Sequence, residues 1–188
     1  AHVFKEFRLA QQGKPYEAVL EFRKAIRLDS RAKYAYVFAG SSYYNIAQRE
    51  RSTKMLNLSA DMFRKALTLD PYDYNAINFL GVVLSRGGHN TEAAEQFNMA
   101  AEIYPKFANP HRNLGVLWQE AGDNEKAKAE FYKTLELNEN QPTVYFELAL
   151  MEERELRFKA AERLLEKALS FEPQNNIFKK EKKQDILS

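Results

Sequence analysis

The sequence predicts an all-α protein made of antiparallel helix pairs stacked one upon the next. Three observations carry that prediction. A motif of one large anchor, two intervening residues and a small residue recurs, its anchors Phe63, Phe97, Phe131 and Leu165 each 34 residues apart. Small residues return at fixed places in both halves of the period, as they must where two helices approach closely. Only seven glycines and six prolines punctuate 188 residues that are 45% hydrophobic and 29% charged, a balance that favours packed helices over strands and turns.

The elements follow in order. Residues 1–32 form a degenerate first repeat. Lys5 and Glu6 take places that are apolar and small elsewhere, so its first helix, about His2 to Gln12, is an end cap or continues missing upstream sequence. Its second helix carries the earliest copy, "FRKAIRLDS", from Phe22. Residues 33–73 form a second repeat that is too long, because Phe22 and Phe63 are 41 residues apart, an excess of seven. Residues 74–107, 108–141 and 142–175 form the remaining repeats. Their first helices carry the near copies "NFLGVVL" (Asn78 to Leu84) and "RNLGVLW" (Arg112 to Trp118) and the looser "FELALME" (Phe146 to Glu152); "VFAGSSY" (Val37 to Tyr43) is the counterpart in the second repeat. The turn signals "GGHN" and "AGDN" separate first from second helices. Pro71, Pro105 and Pro173 end second helices by removing an amide donor and disfavouring helix before them, while Ser30 and Glu139 stand where that proline is absent. Residues 176–188 read as a final amphipathic helix capping the stack, with a basic binding tail as the alternative.

The seven extra residues match two helical turns, which need about 7.2 residues. Shared between both helices, they keep the faces in phase and make the hairpin protrude by about 5 Å, with its turn at Arg51 and Ser52 and Ser52 as N-cap. Arg49, Arg51 and Lys54 then lie at the tip. They either solvate a tolerated lengthening or mark a partner contact, the second because Ile46 and Met55 would lack a neighbouring repeat to cover them. Glu152, at a place usually aromatic or leucine, predicts looser packing in the last repeat.

Together, the period, small residues, aromatic anchors and terminal prolines resemble the tetratricopeptide repeat over nearly the whole chain. The resemblance implies a right-handed α-solenoid of about five repeats with a capping helix. It also implies a protein–protein interaction scaffold or adaptor, whose first helices line a concave groove that takes a partner peptide or helix. Projected onto this sequence, the groove carries Tyr34, Phe38 and Asn45, then Asn75, Asn78 and Phe79, then Asn109, Arg112 and Asn113, and finally Phe146. Amides donate and accept toward a peptide backbone, and aromatic rings supply contact area at little entropic cost. The rings of Phe38 and Phe79 have packing against adjacent helices as their alternative role. The lysine–asparagine–arginine clamp of the relatives that hold acidic chaperone C-termini is not assembled, since only Arg112 and Asn113 are of the right kind. The competing reading is a regulatory or substrate-recruiting region of a larger enzyme, such as a glycosyltransferase or phosphatase.

No catalytic residues, cofactor or metal site are expected. His2, His89 and His111 lack ligand spacing, and the Gly-Lys-Ser/Thr signature of a phosphate loop is missing. A net charge of +2 gives no argument for nucleic acid, and no run of about 18 apolar residues is present to span a membrane. The chain begins at Ala1 in helix-like sequence, which reads as an excerpt or processed product. A soluble cytoplasmic location is the expectation, with a periplasmic or membrane-tethered one if an upstream signal was removed.

Overall fold

Glycines facing aromatic rings set how closely the helices approach. The computed structural model describes residues 14–175, 177–179 and 181. The predicted helix from His2 to Gln12, with Lys5 and Glu6, lies outside the described residues. Contacts group the chain into two compact bodies, Ala1–Pro105 and Lys106–Ser188. The first contains α1 (Pro15–Leu28), α2 (Lys33–Glu50), α3 (Thr53–Leu69), α4 (Tyr74–Arg86) and α5 (Asn90–Ile103). The second contains α6 (Ala108–Glu120), α7 (Asn124–Leu137), α8 (Pro142–Arg154) and α9 (Phe158–Phe171). Residues 177–179 and 181 are helical as well, and no strand occurs among the described residues. The fold is all-α, as predicted.

In the first body, α2 pairs with α3 and α4 with α5, while α1 packs on α2 and α3 on α4. Each buried anchor sits between two helices of this kind. Phe63 lies against Gly40 of its own pair, where an added Cβ would come within 2.9 Å of the ring, and it stacks on Phe79 of the next pair with centroids 5.7 Å apart. Phe22 stacks on Phe38 in the same way, also at 5.7 Å. Ser59 of α3 donates from its hydroxyl to the Gly40 carbonyl at 2.8 Å, so this close approach also satisfies a buried polar group. In the second body, α6 pairs with α7 and α8 with α9. There Phe131 meets Gly115 and packs with Ala127, Val144, Leu148 and Met151. Truncating such an anchor to alanine typically costs about 3–5 kcal/mol.

Both helices of the long hairpin are longer than their counterparts. α2 has 18 residues and α3 has 17, whereas α4, α6 and α8 have 13 and α5, α7 and α9 have 14. The connection between α2 and α3 shortens to Arg51 and Ser52. Arg51 adopts the left-handed conformation at φ 51°, and the Ser52 hydroxyl accepts a hydrogen bond from the Met55 amide at 3.3 Å. The expectation that Ile46 lacks cover is corrected. Ile46 is 1% exposed, packed with Val19 of α1, Tyr43, Met55, Leu58 and Met62. The start of α1 reaches the tip, where the Tyr16 hydroxyl donates to the Glu50 carboxylate.

Looser packing around Glu152 is corrected too. Glu152 is 7% exposed and belongs to a buried ion cluster. Lys128 Nζ lies 2.9 Å from its carboxylate and 2.5 Å from that of Glu155, while Arg157 Nη2 donates to Glu152 at 3.1 Å. Burial pushes the Glu152 carboxyl up, but the bonds from Arg157 and Lys128 outweigh it and hold the group below its ordinary range.

Candidate functional site

Two faces of first helices hold the residues singled out in the sequence. In the first body, α2 and α4 are neighbours. Tyr34 of α2 is 60% exposed, with one ring face 6.5 Å from the Phe38 ring and the Lys33 ammonium 4.8 Å from its centroid. Lys33 is itself fixed, bridging Asp70 at 2.8 Å and Asp73 at 2.9 Å, and the Asp70 bond raises its pKa above the ordinary lysine value. Asn45 and Asn75 are exposed, and Phe79 is 44% exposed with one face resting on Phe63. Phe38 is only half-buried, its ring lying between Phe22 and Tyr34.

Asn78 departs from the expected face. It is 4% exposed, so its amide belongs to the packed interior of the fold and is not open to a visitor. Asn75 and Phe79 each lie one to three residues from it, and helical phase alone had grouped all three. In the second body, Asn109, Arg112 and Asn113 of α6 are half-buried beside exposed Val116. Gln119 donates to the Glu147 carboxylate at 3.0 Å, linking α6 with α8. The Phe146 ring lies 4.9 Å from the buried ring of Phe178, so this residue is largely engaged by the chain's own last described helical segment. The 16-residue step from anchor to stacking partner runs Phe22 to Phe38 and Phe63 to Phe79. Carried onward in sequence it reaches Asn113 and Glu147, so the position changes from aromatic to polar.

Arg49, Arg51 and Lys54 are exposed at the hairpin tip. His111 is half-buried, with Nδ1 2.8 Å from the Glu130 carboxylate. Among the described residues no group of three or more His, Cys, Asp or Glu is placed to hold a metal ion, and no helix is long and apolar enough to cross a membrane.

The tetratricopeptide repeat family model matches residues 40–73, the window from Gly40 to the N-cap of α4. The chain is a tetratricopeptide-repeat protein. It is 30% identical over 149 residues to the type IV pilus assembly protein PilF of Pseudomonas aeruginosa, a match covering 77% of this chain and 56% of PilF. The solved structure of that PilF superposes with a TM-score of 0.78 at 24% identity, over 90% of this chain and 74% of that one. Anaphase-promoting complex subunit 3 of Schizosaccharomyces pombe is 29% identical over 133 residues, 71% of this chain but 19% of that subunit. YrrB, a repeat protein whose structure is described as having an unusual peptide-binding site, matches with a TM-score of 0.66 at 21% identity over 97% of this chain and 90% of its own. The chain therefore spans little more than half the length of PilF and a fifth of the S. pombe subunit.

Proposed function

We propose that this tetratricopeptide-repeat chain is an interaction scaffold that holds a partner peptide or helix on its first-helix faces. One observation carries the reading: α2 and α4 together expose aromatic and amide side chains, Tyr34 and Phe79 with Asn45 and Asn75. Both rings already rest on a neighbouring aromatic, so a partner would not have to order them, and the binding energy lost to side-chain ordering stays small. The amides supply paired donors and acceptors for a peptide backbone. Asn109, Arg112 and Asn113 form the corresponding set in the second body. PilF and the S. pombe subunit take their names from assemblies, and YrrB's description names a peptide site. That supports recognition of a protein partner without chemistry on the partner.

The test is a quantitative pull-down from the source organism with wild-type protein and with Tyr34→Ala/Asn75→Ala/Phe79→Ala. Losing one aromatic anchor typically costs about 1–2 kcal/mol, so capture should fall by about tenfold or more while the far-UV circular dichroism stays helical. Equal capture by both proteins rejects the assignment.

A further inference from the structure

On the opposite side of α2, between the second helices α1 and α3, lies a trough of about 690 Å³. Its floor is apolar, made by Val19 and Leu20 of α1, Tyr43 and Ile46 of α2, and Leu58 and Met62 of α3. Leu20 is 57% exposed. Met55 also lines it, so two of the four methionines of the sequence face the trough, and methionine's flexible thioether adapts to varied apolar partners. The rim is cationic. Arg23 and Arg27 stand on the α1 side, Lys54 and Lys65 on the α3 side, and among the described residues no Asp or Glu lines the trough. None of these four cations is paired with a carboxylate among the described residues. They contrast with Lys33 and Lys128, each held by two carboxylates.

We propose that this trough is a second docking surface, which takes an acidic amphipathic helix of a partner protein. The lining residues run from Tyr16 to Arg27 on α1 and from Lys54 to Lys65 on α3, a length of about 16 Å, or three helical turns. A visiting helix of that length places apolar side chains over Leu20, Met55 and Met62 and carboxylates against the rim on both sides. The cations steer it and exclude a basic competitor, while the apolar floor retains it. A flat anionic lipid surface fits the charge but not the shape, because Tyr43 and Ile46 are recessed below the rim. The lengthened hairpin supplies much of this surface, since Lys54 and Met55 lie in the first turn of the longer α3. The proposal is independent of the first-helix faces.

The probe is a synthetic 15-residue helix with leucines on one face and glutamates flanking them, labelled for fluorescence anisotropy against the full chain. Binding is expected to weaken as salt rises, and Arg23→Glu/Lys65→Glu should weaken it by about tenfold or more at low ionic strength. A matched peptide carrying lysine in place of glutamate should bind the charge-reversed protein more tightly than it binds the wild type. Leu20→Asp, at an exposed site, should abolish binding with the fold intact. A photo-crosslinker at position 20 must then capture the acidic peptide. The proposal is overturned if the charge-reversed protein binds the acidic peptide as tightly as wild type does. Crosslinking to residues 1–13 or to a second copy, or exclusive binding to anionic vesicles, overturns it equally.

Discussion

Replacing Gly115 by alanine sets two opposed effects against each other. In a helix interior alanine is favoured over glycine by about 1 kcal/mol, so propensity alone predicts a more stable protein. The tertiary structure predicts the reverse. A Cβ on Gly115 would lie 2.5 Å from both Cδ1 and Cε1 of Phe131 and 3.1 Å from its Cγ, about 1 Å inside ordinary carbon contact. The ring has no room to retreat, since Phe131 is fully buried among Ala127, Val144, Leu148 and Met151 with Trp118 alongside. Overpacking costs about 1–3 kcal/mol, and contacts this short belong at the upper end, leaving a net loss of about 1–2 kcal/mol after the propensity gain. The thermal midpoint should fall by about 2–8 °C. Trp118 is the single tryptophan and packs on the same cluster, so urea unfolding followed by its fluorescence reports on this site directly. Gly115→Ala combined with Phe131→Leu should be less destabilised than the sum of the single changes by more than about 0.5 kcal/mol. At Gly40 the added atom meets the outer edge of Phe63 at 2.9–3.1 Å, so Gly40→Ala should lose less. An unchanged or raised midpoint for Gly115→Ala would refute the claim that ring contact sets the helix spacing.

Three further outcomes follow from the second body. Gly88, Gly122 and Leu156 take the same place in their turns, at φ 80°, 81° and 59°, and only Leu156 has a side chain there. Since it is mostly exposed, Leu156→Gly should raise stability by about 0.5–1 kcal/mol, read as a higher urea midpoint with an unchanged slope. Lys128→Met should cost about 1–3 kcal/mol by leaving Glu152 with Arg157 alone, and adding Glu152→Leu should recover most of that loss. A carboxyl held below its ordinary value gives its full stabilisation above that value and loses it as pH falls through the lowered one. Acid unfolding should therefore steepen below the usual carboxylate range, and Glu152→Gln should flatten that limb.

The helix pairs and the long hairpin were legible because their causes are local. A small residue, an anchor 16 or 23 residues away and a turn signal recur along the chain, and the excess of seven residues matches two helical turns. Tyr34, Asn45, Asn75 and Phe79 were placed on open faces by helical phase. Phase failed at Asn78, one residue from Phe79, because a step of about 100° separates an exposed side chain from a buried one and the helices packed alongside decide where that edge falls.

What the sequence by itself determined is the succession of helices, their lengths and the positions where they must meet. Only the tertiary structure decided which polar groups are buried and which apolar ones are left bare. Lys128 and Glu152 tolerate burial because each finds its opposite charge on another helix, and Phe146 is engaged because Phe178 returns to it from 32 residues further on. The trough exists where α1 and α3 flank Tyr43 and Ile46 of α2. Such outcomes depend on distances between groups far apart in the chain, and a one-dimensional pattern encodes periodicity but not those distances.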